Sequence, residues 1–190
     1  MKIIGNKSLS SFVDKIILIV LIALIIVTIG WGIISLYSFF KGENFSFMKD
    51  KTFQNNSFGG LKFRIENNDN IKLSTSFKFL SFFYMLNLIY IIYNLKRIFQ
   101  NLKNKILFCY NNSKWLGQIG IGIIILAVIS SFLNLSVGWI LHEYLISKNV
   151  NVDVVFNFNI INIFIGLIIF IFSKVYKKAT DIAEEQKLTI

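Results

Sequence analysis

The chain contains no proline, one cysteine and one histidine, and its 10 carboxylates are outnumbered by 20 Lys and Arg residues. With Cys109 alone, no internal disulfide framework can form. With His142 as the one histidine, a zinc site cannot be assembled from His and Cys within a single chain. Charge of either sign is scarce, at 16% of residues, against roughly 25% in ordinary soluble domains. The missing proline accompanies a crowd of Ile, Asn, Lys and Phe, a bias that an A/T-rich genome explains and that carries no functional information. Catalytic patterns are missing too: there is no GxSxG, no P-loop and no paired carboxylates. The stretch "LHEYLI", residues 141–146, begins like the HExxH helix of zinc hydrolases, but position 146 is Ile and the second histidine is gone. His142 and Glu143 are better read as marking a membrane interface, with Trp139 and Tyr144 in an aromatic belt. No enzyme, metal site or cofactor is expected.

What is present is long apolar runs. The composition is 55% hydrophobic and the mean hydropathy is +0.63. About 20 helical residues cross a hydrocarbon core of about 30 Å, and four stretches reach that class, at about 16–40, 79–95, 116–141 and 156–172. The expected fold is an all-α membrane protein, a four-transmembrane-helix bundle forming one integral membrane domain over 1–190. Lys2, Lys7 and Lys15 ahead of the first run raise the reading of a signal peptide. That run exceeds the usual apolar core of about 7–15 residues and no small-x-small cleavage pattern follows, so an uncleaved helix is expected. Within the polar segment 41–76, "LKFRI" and "IKLSTSF" flank the turn-rich "ENNDN", which predicts a small β-hairpin. A loosely ordered loop is the competing reading, because so short a segment buries little core alone.

Lys and Arg counts near span ends govern orientation. The amino end has three, the loop 96–115 five and the tail 173–190 four, against one in the connector 142–155. The segment 41–76 carries six, but spread out and mixed with Glu43, Asp50, Glu66 and Asp69. Both termini and the loop 96–115 are therefore expected on the cytoplasmic side. The net charge of +10 then reads as topology signal and attraction to anionic lipid headgroups, with no direct nucleic-acid binding expected.

No Asp, Glu, Lys, Arg or His lies inside the four runs, which argues against a transporter coupled through an in-chain charged site. Uncharged polar residues do occur: Asn87 and Asn94 on one face of the second run, Ser130, Asn134 and Gly138 along the third, Thr28 and Gly32 on the first. Small and amide side chains at such spacing let helices approach and hydrogen-bond across their interface. A polar ligand pocket is the alternative. "GQIGIG" (Gly117, Gly120, Gly122) opens a membrane helix instead of following a strand, so close packing explains it better than a dinucleotide site. In the loop 96–115, Phe99, Leu102, Ile106 and Tyr110 share a helical face apart from Arg97, Lys103, Lys105 and Lys114, which predicts a basic amphipathic helix lying on anionic lipid. Docking of a protein partner is the sharper alternative there. Cys109 reads as a small apolar residue. Beyond the fourth run, Val175, Ala179 and Ile182 recur at helical spacing with Lys178, Asp181 and Glu185 on other faces, so the helix is expected to continue.

Two stretches carry a family likeness. In "FCYNNSKWLGQIG", residues 108–120, they are Phe108, Asn112, Lys114, Leu116, Ile119 and Gly120; in "VYKKATDIAEEQKLTI" they are Tyr176, Ala179, Glu184, Glu185 and the terminal Leu188, Thr189 and Ile190. Together they resemble a family of small bacterial membrane proteins, number 2975 in the domain-of-unknown-function series. The family often has Pro before the Phe and a doubled basic pair, where this chain has Leu107 and Trp115. The resemblance implies a four-helix integral membrane protein, often encoded beside a small helix-turn-helix regulator, with no established reaction.

With that resemblance, these readings lead to a non-enzymatic accessory or regulatory protein of a bacterial cytoplasmic (inner) membrane, of a stress-responsive kind, that acts through a cytoplasmic surface built from those two stretches and a protein partner. Two alternatives stay open: a small homo-oligomeric transporter or channel using Asn87, Asn94 and Asn134, and an immunity protein against a membrane-active toxin.

Overall fold

A computed structural model describes residues 9–41, 53–54, 64–65, 75–146, 156 and 158–188. Four helices account for nearly all of them: α1 (Leu9–Lys41), α2 (Thr75–Lys103), α3 (Tyr110–Ile146) and α4 (Ile160–Leu188). Each contains a segment long and apolar enough to cross a membrane. A chain without proline keeps every backbone N–H available to its ladder. In lipid that completeness is required, since an unpaired peptide group there has no water to turn to. At about 1.5 Å per residue, the 37 residues of α3 exceed a hydrocarbon core of about 30 Å, so the helix must reach past it. This is an all-α, multi-pass membrane protein.

Two short strands, β1 (Phe53–Gln54) and β2 (Arg64–Ile65), pair antiparallel, with Phe53 opposite Ile65 and Gln54 opposite Arg64. "LKFRI" therefore does supply a strand, but its partner lies upstream and not beyond "ENNDN". Of the second expected run, residues 75–77 open α2 and 71–74 lie outside the described residues. The fourth helix starts at Ile160 and not at 156. It then runs unbroken to Leu188, through the lysines and carboxylates of the tail.

The helices have the inverse of a soluble protein's pattern. Among the described residues only Ile17, Ile119 and Ala127 are buried apolar side chains, while the largest fully buried ones are Asn94, Thr180 and Ser131. Meanwhile Ile19, Ile26, Phe40 and Ile161 stand 65–82% exposed. In water such a surface would be an aggregation hazard. Against acyl chains it costs nothing, because lipid tails are as apolar as Leu and helix association relies on close packing and polar contacts.

The described residues divide into two compact units, one from Met1–Thr28, Met85–Ala127 and Ile160–Ile190, the other from Ile29–Tyr84 and Val128–Asn159. In the first, α3 and α4 touch backbone to backbone. A Cβ added at Gly120 would lie 2.8 Å from both the Gly166 carbonyl oxygen and the Phe170 nitrogen, and one at Gly166 only 2.6 Å from Ile124 Cγ1. Gly117, one turn earlier, faces Ser173 Oγ in the same way. The reading of "GQIGIG" as a packing surface fits this geometry; the glycine that answers it on α4, Gly166, carries no sequence signal of its own. In the second unit the Asn159 amide donates to Ser131 Oγ at 3.3 Å, and Gly32 lies against the Phe82 ring.

A methyl group at the α3–α4 crossing forces the backbones apart. Gly120→Ala and Gly166→Ala should each lower unfolding stability in detergent by about 1–3 kcal/mol, the usual range for overpacking. Gly30→Ala, where an added Cβ meets nothing within 4 Å, should leave the midpoint unmoved. Circular dichroism during denaturant titration reads the three side by side.

Candidate functional site

The connection between α2 and α3 is six residues long, Asn104–Cys109. No separate basic amphipathic helix forms over 96–115. Residues 96–103 instead continue α2, and Phe99 and Leu102 are half-buried on its last turns. The helix closes with paired capping bonds: the Ile106 amide donates to the Asn101 carbonyl at 2.9 Å and the Lys105 amide to that of Leu102 at 3.1 Å. This double bond pattern demands a left-handed residue at its centre, most often Gly. Here it is Lys105, with φ 64°.

The rest of the loop is held by Asn112, on the first turn of α3 and only 3% exposed. Its Oδ1 accepts from Asn101 Nδ2 at 2.7 Å. Its Nδ2 donates to the carbonyls of Leu107 at 3.2 Å and Ile106 at 3.4 Å, and to the Tyr176 hydroxyl at 3.5 Å. The Tyr176 hydroxyl in turn donates to the Leu107 carbonyl. One amide thus satisfies two loop carbonyls and joins α2, α3 and α4. Phe108 stacks on the Tyr176 ring, with centroids 6.2 Å apart and planes at 28°. Lys177 Nζ lies 5.1 Å over Tyr110. Below Tyr176, buried Thr180 donates its hydroxyl to the Tyr176 carbonyl at 3.0 Å.

Of the surface expected from the two likeness-bearing stretches, Phe108, Asn112 and Tyr176 are brought into direct contact. Leu116 and Ala179 are half-buried on α3 and α4, and Lys114, Glu184 and Glu185 are exposed. Leu188 closes α4; Thr189 and Ile190 lie outside the described residues.

Two of the polar residues expected to bond across helices, Asn94 and Thr28, bond within their own helix. Asn94 is 2% exposed, but its Nδ2 donates to the Tyr90 carbonyl of its own helix at 2.9 Å. Thr28, Ser81 and Ser136 return to carbonyls four residues back in the same way. Surrounded by apolar groups, a short polar side chain takes the nearest acceptor, and that lies on its own helix. Asn87 Oδ1 is buried without a hydrogen-bond partner among the described residues, on the side where Gly122 of α3 comes close. Ser130 and Asn134 are half-buried on α3; it is neighbouring Ser131 that is fully buried.

Sequence reasoning missed Asn101 and Asp14. Asn101 sits 11 residues before its partner Asn112 with no periodic signal. Asp14 lies just ahead of the first apolar run, yet α1 begins at Leu9 and carries it into the packed region, 8% exposed, with Oδ2 3.7 Å from Lys103 Nζ. Its other oxygen, Oδ1, has no partner among the described residues.

Two measurements check this knot. Asn112→Leu should destabilise the folded protein by about 2–4 kcal/mol and Tyr176→Phe by about 1 kcal/mol, and the double variant should lose less than the sum because the two share Leu107. Lys105→Gly should raise stability by up to about 1 kcal/mol, since glycine adopts the left-handed backbone at no steric cost.

No curated protein matches the chain, and no solved structure does. A family model described as "Protein of unknown function (DUF2975)" matches residues 48–190, which include the α2–α3 connection, Asn112 and the whole of α4. The chain belongs to that family.

Proposed function

We propose that this is a non-enzymatic accessory or regulatory protein of a bacterial cytoplasmic membrane that works through one end of its helices. The reading rests on the α4 tail. Tyr176 fixes it to the α2–α3 connection, and the turns that follow hold Asp181, Glu184 and Glu185 at the surface. At an end otherwise dominated by Lys96, Arg97, Lys105, Lys114, Lys174, Lys177 and Lys178, these are exposed carboxylates on a firmly seated support. Four crossings return both termini to one side, and the excess of Lys and Arg there makes it the cytoplasmic side. A cytosolic protein with a basic contact surface is the partner such a tail would take, and electrostatic complementarity would speed its encounter.

The tail also reads differently from the intramembrane amides. Asn94 is sealed and bonded to its own helix, which supports packing over a solute path. One observation favours the transporter reading: the unpartnered Asn87 Oδ1.

Removing residues 184–190 should leave the unfolding midpoint close to that of the intact chain, because Tyr176, the α4 member of the knot, lies about two turns earlier. The truncation should abolish partner capture by a photocrosslinker placed at Asp181, together with any phenotype of the intact gene. Unchanged capture and phenotype would overturn the proposal. Solute flux in proteoliposomes that disappears in Asn87→Leu would favour the transporter instead.

A further inference from the structure

Arg97 occupies an unusual position. Its guanidinium carbon lies 4.5 Å from the Tyr93 ring centroid and 5.4 Å from that of Trp115, and one of its nitrogens donates to the Tyr93 hydroxyl at 2.6 Å. Among the described residues no carboxylate pairs with it; six residues further along α2, Lys103 pairs with Asp14. A guanidinium has five donors, so most of its hydrogen-bonding capacity is left for something else. Aromatic faces hold the cation in place and displace part of its water, which favours a bidentate anionic acceptor.

The position of the site along the helices indicates which acceptor. On α2 the apolar run ends at Leu95 and charge begins at Lys96; on α3 the order is reversed, with Lys114 and Trp115 preceding the apolar run from Leu116. The Arg97–Trp115 contact brings these two boundaries level. Gly117 against Ser173 brings the α4 boundary, between Phe172 and Lys174, to the same level. Three helices therefore change from greasy to basic at one height, which is where phospholipid phosphates lie.

The face of α2 below Arg97 completes the site. Leu86, Tyr90 and Tyr93 precede it at intervals of four, three and four residues, on one side of the helix, and are 41%, 44% and 42% exposed. From Leu86 to Arg97 is about 16 Å of helix, close to the hydrocarbon depth of one leaflet, about 15 Å. An exposed apolar stripe of one acyl chain's length, ending in an aromatic-held guanidinium, has the dimensions of a lipid.

We propose that Arg97, with Tyr93 and Trp115, is a binding site for the phosphate of an anionic phospholipid whose acyl chain lies along Leu86, Tyr90 and Tyr93. The site is independent of the tail and of any protein partner. It differs from general attraction to a charged surface because it requires the planar fork of arginine at one position.

Trp115 is a built-in reporter. In a Trp31→Phe, Trp139→Phe background it is the only tryptophan, and bromine on lipid acyl chains quenches it at contact range. In phosphatidylcholine vesicles doped with brominated phosphatidylglycerol, quenching should show about fivefold preference over the same dose of brominated phosphatidylcholine, the scale expected for one basic residue at an anionic surface. Arg97→Gln should bring the preference close to one, and Arg97→Lys should restore only part of it. Lys114→Gln, which removes a neighbouring exposed charge, should leave most of it. Unchanged circular dichroism of Arg97→Gln would show that the fold survives; if it does not, Trp115→Phe read by native mass spectrometry of retained lipid replaces it, with fewer retained phosphatidylglycerol molecules expected. Equal quenching by the two lipids, a preference that survives Arg97→Gln, or equal loss from Lys114→Gln would each overturn the proposal.

Discussion

The absence of water around the helices governs most of what this structure does. Where the surroundings are hydrocarbon, burying a leucine gains nothing, and an unpaired peptide group has nowhere to go. Both consequences are visible. Nearly all described backbone is helical, and α3 and α4 approach through glycine and serine while many isoleucine and phenylalanine side chains are exposed. The contact of Gly120 with Gly166 is the clearest case. Two helices there come together until backbone meets backbone, gaining dispersion contacts and short dipole distances that larger side chains would prevent.

The same constraint explains why so much of the hydrogen bonding departs from regular helix at one place. Between α2 and α3 the chain must reverse in six residues, and reversal exposes carbonyls. Asn112 resolves this with a single amide: it collects the loop carbonyls, accepts from Asn101 and reaches Tyr176 on α4. Tyr176 then serves two ends at once, through its hydroxyl to the loop and through its ring to Phe108. A turn that would be a weak point becomes a fixed support for the α4 tail.

How far this was legible depends on the scale of the signal. Helices and their membrane character could be read because about 20 apolar residues in a row match the thickness of a bilayer and little else. The family likeness pointed to Phe108, Asn112 and Tyr176, and these meet in space. What the residues do was harder to read. Asn94 has the spacing of an interhelical contact but bonds to its own helix, because the nearest carbonyl is four residues back and sequence periodicity is blind to that competition. Residues 96–103 have the pattern of a surface helix, yet they simply extend α2; an amphipathic pattern says which face is greasy, and both arrangements share it. Asp14, Asn101 and Gly166 are single residues whose importance exists only once another helix is beside them. The strand pairing departs from expectation for a related reason: "LKFRI" found its partner upstream, and alternation alone does not choose between two neighbours.

Everything here depends on helices that show apolar side chains to lipid and keep polar ones between them. Nitroxide accessibility in lipid nanodiscs measures this directly. Labels at Ile19, Ile26 and Ile33 should collide freely with oxygen dissolved in the bilayer and hardly at all with a water-soluble nickel chelate. A label at Thr180 should meet little of either, beyond what its own bulk disturbs. Free access of the nickel chelate to the three α1 positions would place that helix in water and contradict the account.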